Sequence, residues 1–143
     1  MSVLLDTDFL VAYWNPDEPR HQDAETLFED LRTGKRGHLF VTDYVVDEAV
    51  TLAMRRARSP EVPRAFLRFL LGLPPAARIF GLVHIGPDLF HAAVQRFLQL
   101  SSRGLSFTDC ASLEVLSELR IDAIATFDSG FRGLAVVLPE PTA

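Results

Sequence analysis

Residues 3–19, VLLDTDFLVAYWNPDEP, decide the fold. Val3, Leu4 and Leu5 form a short unbroken apolar run that ends on an acid. This is how a strand buried on both faces of a parallel sheet reads, and we place it from Val3 to Asp6. The apolar run resumes from Phe9 to Trp14 as a short helix, which Asn15, Pro16 and Pro19 terminate because proline lacks the amide hydrogen a helix needs. The chain therefore opens with a strand, an acidic turn and a helix.

The same alternation continues to the end of the sequence. Helices are expected at His21–Arg32, from Thr42 or Asp43 to Arg58, and at Pro63–Leu71, Pro87–Leu100 and Ser106–Arg120. Strands are expected at Leu39–Val41, Ile79–Ile85, Ala123–Thr126 and Ala135–Leu138. Five strands with helical crossovers predict a three-layer α/β/α sandwich around a mostly parallel five-stranded sheet. No linker, repeat or low-complexity tract interrupts the chain, so residues 1–143 read as one domain.

Composition narrows the function classes. Hydrophobic residues make up 48% and charged residues 23%, with 8 glycines and 9 prolines, values that fit neither a disordered nor a fibrous chain. The longest apolar stretch, Phe9–Trp14, falls far short of the roughly 20 residues that span a bilayer. The N-terminus has no basic lead into an apolar segment, and the reading is a soluble cytoplasmic protein without a membrane partner. Cys110 is the single cysteine, and His21, His38, His84 and His91 show no zinc-site spacing.

The formal net charge of −5 conceals a strong asymmetry. Between Arg55 and Arg103 eight arginines face only Glu61 and Asp88, while the rest of the chain is acidic. The arginine-rich stretch is the expected nucleic-acid-facing surface, with Arg55, Arg56 and Arg103 as candidate phosphate contacts. The alternative is that these are ordinary solvated arginines.

The acids are the informative residues. In parallel α/β sheets ligands collect beyond the carboxyl ends of the strands, where Asp6 and Asp128 fall. At about 100° per residue, Glu48 lies just past Leu52 at the edge of its helix's apolar face, whereas Asp47 points about 100° away. Asp109 shares its azimuth with Leu113 and Leu116, the stripe that faces the interior, where a charge requires a partner. Four carboxylates at one end of a sheet repel each other, and a divalent cation relieves that repulsion. Hard oxygen donors suit Mg²⁺ or Mn²⁺, one or two ions, and the chemistry implied is phosphodiester hydrolysis by an activated water.

Each acid also has a purely structural use. Asp6 could cap the following helix, Asp109 could close a capping box with Ser106, Glu48 could pair with Arg55 or Thr51, and Asp128 could sit in a turn before Ser129-Gly130. Thr7 and Thr126 could bond local backbone, and Cys110 reads as a small buried residue. Tyr13, Trp14 and the 11 phenylalanines read as core or dimer contacts.

Asp6-Thr7-Asp8, Val45-Val46-Asp47-Glu48-Ala49, Ser106-Phe107-Thr108-Asp109-Cys110 and Thr126-Phe127-Asp128-Ser129-Gly130-Phe131, in this order and at these intervals, resemble the signature of the PIN domain. Small chains of this length are similar to the VapC toxins of bacterial and archaeal toxin–antitoxin pairs. The resemblance implies a Mg²⁺- or Mn²⁺-dependent endoribonuclease, a homodimer and a cognate antitoxin. Asp6, Glu48 and Asp109 match the family's three central acids, Asp128 its more variable fourth, and Thr126 a hydroxyl position two residues before it. Asp8 stands where many relatives carry Ser or Asn, so its role is left open.

Three rival readings share parts of this acidic pattern. A phosphoacceptor receiver needs a strand-end lysine, and the only lysine is Lys35, in a Gly-bounded turn. A haloacid-dehalogenase-type phosphatase could use Asp6 and Asp8 as nucleophile and acid, but it also wants a lysine and leaves Glu48 idle. A PIN-like scaffold that binds RNA or protein without cutting accounts for the acids only as structure.

Overall fold

The computed structural model describes residues 1–141. Its strands are β1 (Ser2–Leu5), β2 (His38–Thr42), β3 (Phe80–Val83), β4 (Ala123–Ala125) and β5 (Val137–Leu138). The helices are α1 (Thr7–Trp14), α2 (His21–Arg32), α3 (Asp43–Arg56), α4 (Glu61–Leu71), α5 (Pro87–Leu100) and α6 (Phe107–Glu118). Short 3₁₀ turns occupy Ser101–Arg103 and Ser129–Phe131. All five strands lie in one sheet of order β3-β2-β1-β4-β5, and every neighbouring pair is parallel.

Side-chain alternation along β1 builds the layers. Val3 and Leu5 enter one core with Phe9 and Leu10 of α1, Phe28 of α2, Ala49 of α3 and Phe66 of α4. Leu4 enters the other, with Leu113 and Leu116 of α6 and Ile124 of β4. Val3, Leu4 and Leu5 are all fully buried, as a central parallel strand requires. Aromatic rings lock the first face: Trp14 stacks on Phe66 and Phe69 at 5.0 and 5.2 Å, and Tyr13 meets Phe28 at 4.3 Å. Phe28 and Phe66 are buried core, and Tyr13, Trp14 and Phe69 pack half-buried against it.

Several boundaries differ from the sequence expectation for identifiable reasons. The first helix begins at Thr7, not Phe9, because the Asp6 carboxylate accepts the Thr7 N–H and caps it. The fourth begins at Glu61, since Pro63 in a first turn forfeits no intrahelical bond. The third strand ends at Val83 because the Ile85 N–H donates to Asp43 Oδ1 at 3.0 Å instead of continuing the ladder. The third helix stops at Arg56, where Ala57 turns extended.

The strand order places the chain reversal between β1 and β4: successive crossovers run outward from β1 to β2 and β3, then return to β4 and β5. Such a switch point leaves a crevice beyond the carboxyl ends of the two central strands. Asp6 follows β1 there, and Thr126 follows β4.

Candidate active site

The crevice is an open cleft of about 390 Å³. Asp6, Asp8, Glu18, Glu48, Asp109 and Asp128 line it with Thr7, Val11, Leu52, Arg56 and Ser106. Three of the four sequence candidates for metal ligation come from helix or turn caps, and the fourth, Glu48, from the second turn of α3. Glu48 is half-buried while neighbouring Asp47 is exposed, so the helix presents Glu48 to the cleft.

Hydrogen bonds fix three of the four acids. Asp6, only 3% exposed, accepts the Thr7 N–H on Oδ1 at 2.8 Å and the Thr126 hydroxyl on Oδ2 at 2.7 Å. Asp109 accepts the Ser106 N–H on Oδ2 at 2.9 Å while Ser106 Oγ accepts the Asp109 N–H at 3.0 Å, a complete capping box. Asp128 accepts the Gly130 N–H at 2.8 Å. A Cβ at Gly130 would stand 2.8 Å from Leu105 Cδ2 and 3.1 Å from Asp128 Oδ1, so any larger residue here would have to push the Leu105 side chain aside. The structural uses foreseen for Asp6, Asp109 and Asp128 are therefore real. They coexist with placement in the cleft, for a carboxylate has two oxygens and capping mainly engages one.

Asp8 is anchored by the opposite wall. Both its oxygens accept the Phe127 N–H, at 3.3 and 3.2 Å, and Oδ1 lies 3.2 Å from Thr126 Oγ1. Thr126 Oγ1 in turn accepts the Asp128 N–H at 3.0 Å. One buried hydroxyl thus links Asp6, Asp8 and the backbone of Asp128.

The electrostatics follow from this crowding. Burial pushes the Asp6 carboxyl well above its usual range, and the charges of Asp8 and Asp109 add to the rise against hydrogen bonds from Thr126 and Thr7. Burial likewise raises Asp8, opposed chiefly by the Phe127 N–H. Burial raises Asp109 against the bonds from Ser106, with Asp128 and Glu48 contributing repulsion. A carboxyl whose folded-state pKa lies above its unfolded value stabilises the fold at low pH and loses that contribution as pH rises through the folded value. Asp6→Asn should therefore melt higher than wild type in metal-free buffer at about pH 8, by the order of 1 kcal/mol that relief of site strain commonly gives, a few degrees in Tm. The advantage should shrink as pH falls through the raised folded-state pKa of Asp6, where the wild-type carboxyl takes up its proton. Parallel melting curves in chelator that show no gain at the higher pH would contradict the assigned repulsion.

The candidate phosphate contacts divide. Arg56 lines the cleft and pairs with Glu18. Arg55 is exposed on α3 outside the cleft lining. Arg103 donates through Nη2 to the carbonyls of Gly130 and Arg132 at 2.9 and 2.7 Å, bracing the turn that carries Asp128. Glu18 was not foreseen from sequence. It sits in the loop between α1 and α2, where no periodicity fixes orientation. Lys35, the only lysine, lies in the turn before β2, at the amino edge of the sheet. A lysine-assisted phosphatase centre cannot form around Asp6.

No three His, Cys, Asp or Glu side chains among the described residues close into a ready-made metal cage. The donor set nevertheless fits a hard cation. Its oxygens surround an open cleft, suiting an ion that keeps part of its water shell, and the single base among the lining residues, Arg56, is engaged by Glu18. No helix of the described residues is long and apolar enough to cross a membrane.

Comparison with known proteins agrees with this architecture. The chain is 26% identical over 132 residues to the VapC ribonuclease of Archaeoglobus fulgidus, covering 92% of this chain and 80% of that protein. Its fold is similar to that of Mycobacterium tuberculosis VapC20, a Sarcin-Ricin loop cleaving toxin, with a TM-score of 0.82, 24% identity and coverage of 97% and 99% of the two chains. It is also similar to a chain of VapBC2 from Rickettsia felis, solved bound to a DNA fragment from its promoter, at TM-score 0.69, 11% identity and 96% and 97% coverage. The PIN domain family model matches residues 3–137, from the first buried valine to the last strand and through all four acidic motifs, and the chain belongs to the PIN domain family.

Proposed function

We propose that this protein is an endoribonuclease that hydrolyses RNA phosphodiester bonds with Mg²⁺ or Mn²⁺, and that it is the toxin of a toxin–antitoxin pair. The observation that carries the reading is the convergence of Asp6, Glu48, Asp109 and Asp128 on one cleft at the switch point of a PIN-family sheet. The VapC ribonuclease relationship supports RNA as the substrate and hydrolysis as the reaction.

Asp6, Glu48, Asp109 and Asp128 would hold one or two ions. When bound, the metal makes water a competent nucleophile near neutral pH and offsets charge on the phosphate. The chain's own groups prepare that chemistry. Thr126 orients Asp6, the Ser106 N–H orients Asp109, and the Gly130 N–H orients Asp128, so the carboxylates meet the substrate without rearranging. The buried floor strengthens every charge interaction above it, and the open mouth admits a strand of RNA. Thr126 acts through Asp6 as a positioning residue. A cognate antitoxin, a homodimer and action in the cytoplasm belong to the same proposal; the VapBC2 structure among the structural relatives supports the antitoxin.

The test is incubation of purified, antitoxin-free protein with a mixed RNA pool in Mg²⁺, Mn²⁺ or EDTA. Cleavage in either metal and none in EDTA is expected. Cleavage that persists in EDTA would refute the metal mechanism, and RNA bound but left intact in both metals would favour a non-catalytic scaffold.

A further inference from the structure

Six carboxylates line the cleft with one base, Arg56, and a phosphodiester entering that field brings yet another negative charge. We infer that Arg56 is the residue that contacts the RNA phosphate in the cleft, and that Glu18 is its built-in competitor, displaced when substrate binds. The inference rests on the ribonuclease reading and adds to it a phosphate contact and a brake.

The geometry suits an exchangeable pair. Arg56 is the last residue of α3, so its long side chain leaves a helix end and can swing without disturbing the core. It is 48% exposed, against 20% for Glu18, and the two are in direct contact. Glu18 is held in place by its backbone: its N–H donates to the Asn15 carbonyl at 3.1 Å, and its carbonyl accepts the His21 N–H at 3.0 Å. The loop thus holds the Glu18 backbone and sets its carboxylate against a guanidinium carried on a helix end. Half-exposed pairs of this kind are worth less than about a fivefold equilibrium preference, so a phosphate can displace the carboxylate. Arginine, whose planar fork matches two phosphate oxygens, suits the exchange. Arg103 cannot take the role, for it braces the turn after Asp128.

The experiment follows binding of a short fluorescent single-stranded RNA to protein carrying Asp109→Asn, in EDTA and in Ca²⁺, over a salt series. Arg56→Gln should weaken binding roughly tenfold and reduce the salt slope by about one. Glu18→Gln should tighten binding by up to about fivefold at low salt. The double variant should behave as Arg56→Gln alone. Both single changes remove the same ion pair and should lower Tm alike, so a purely structural pair would move affinity in one direction for both. Parallel losses of affinity, or a double variant whose effects add, would overturn the assignment. If Glu18→Gln instead raises the Mn²⁺ concentration needed for cleavage by otherwise wild-type protein, Glu18 is a metal ligand and the brake is refuted. Wild-type protein that cuts no RNA in Mg²⁺ or Mn²⁺ overturns the nuclease reading itself. Cleavage by wild type with unmoved variants overturns only the role of Arg56 and Glu18.

Discussion

Asp6→Asn and Asp109→Asn, each made alone, should reduce metal-dependent RNA cleavage by roughly 10²- to 10³-fold, the usual effect of removing one preorganised charge from a reaction centre. Asparagine preserves shape in both places. At position 6 its amide oxygen can still accept the Thr7 N–H, so the cap on α1 survives. At position 109 it can still accept the Ser106 N–H and keep the capping box. What disappears is one negative charge on the buried floor of the cleft. The measurement is the initial cleavage rate across a Mn²⁺ titration, with Tm recorded beside it to show that the fold is intact. A variant that retains wild-type rate and metal dependence would remove its acid from the metal-binding set. The wider acidic field makes the two substitutions informative together: because they act on one cluster, the double variant should fall little below the worse single variant.

What the sequence discloses of this site depends on whether a residue's direction is set by a regular element. Asp6 ends a three-residue apolar run, and Glu48 and Asp109 take their azimuths from helices of known period, so their placement at the cleft was legible before any fold was assigned. The fold class was legible for the same reason: Val3, Leu4 and Leu5, closed by an acid, read as a strand covered on both faces, and all five strands are parallel. Loop-borne groups were not legible. Glu18 reaches Arg56 across 38 positions of sequence through a proline-flanked turn, and no local pattern encodes that path. Arg103 stood as a candidate phosphate contact because it is a surface arginine in a basic stretch; that it donates to two backbone carbonyls depends on where the Ser129–Phe131 turn lands. Asp8 was ambiguous for a related reason. Its anchor, the Phe127 N–H, lies on the strand end beyond β4, adjacent only once the switch point is formed.

Thr126→Val should lower the cleavage rate about 10- to 100-fold and raise the metal concentration needed for half-maximal activity, the range found when a group that orients metal ligands is removed. Valine keeps the β-branch and nearly the volume of threonine, so the effect isolates the hydroxyl. That hydroxyl is 2.7 Å from Asp6 Oδ2 and 3.2 Å from Asp8 Oδ1, and its oxygen accepts the Asp128 N–H. Its single proton lies within reach of both carboxylates but serves the shorter contact, to Asp6. Without it, Asp6 keeps only the Thr7 N–H and is free to turn about its side-chain torsions, and the Asp128 N–H loses its acceptor. Leaving the buried Asp6 oxygen and the Asp128 N–H without this partner should also cost about 1–3 kcal/mol of stability. Thr126→Ser restores the hydroxyl and should recover most of the activity, which separates the bond from the packing. If Thr126→Val folds, binds Mn²⁺ as wild type does and cuts at the wild-type rate, the main chain alone positions Asp6, and the threonine serves only to satisfy the end of β4.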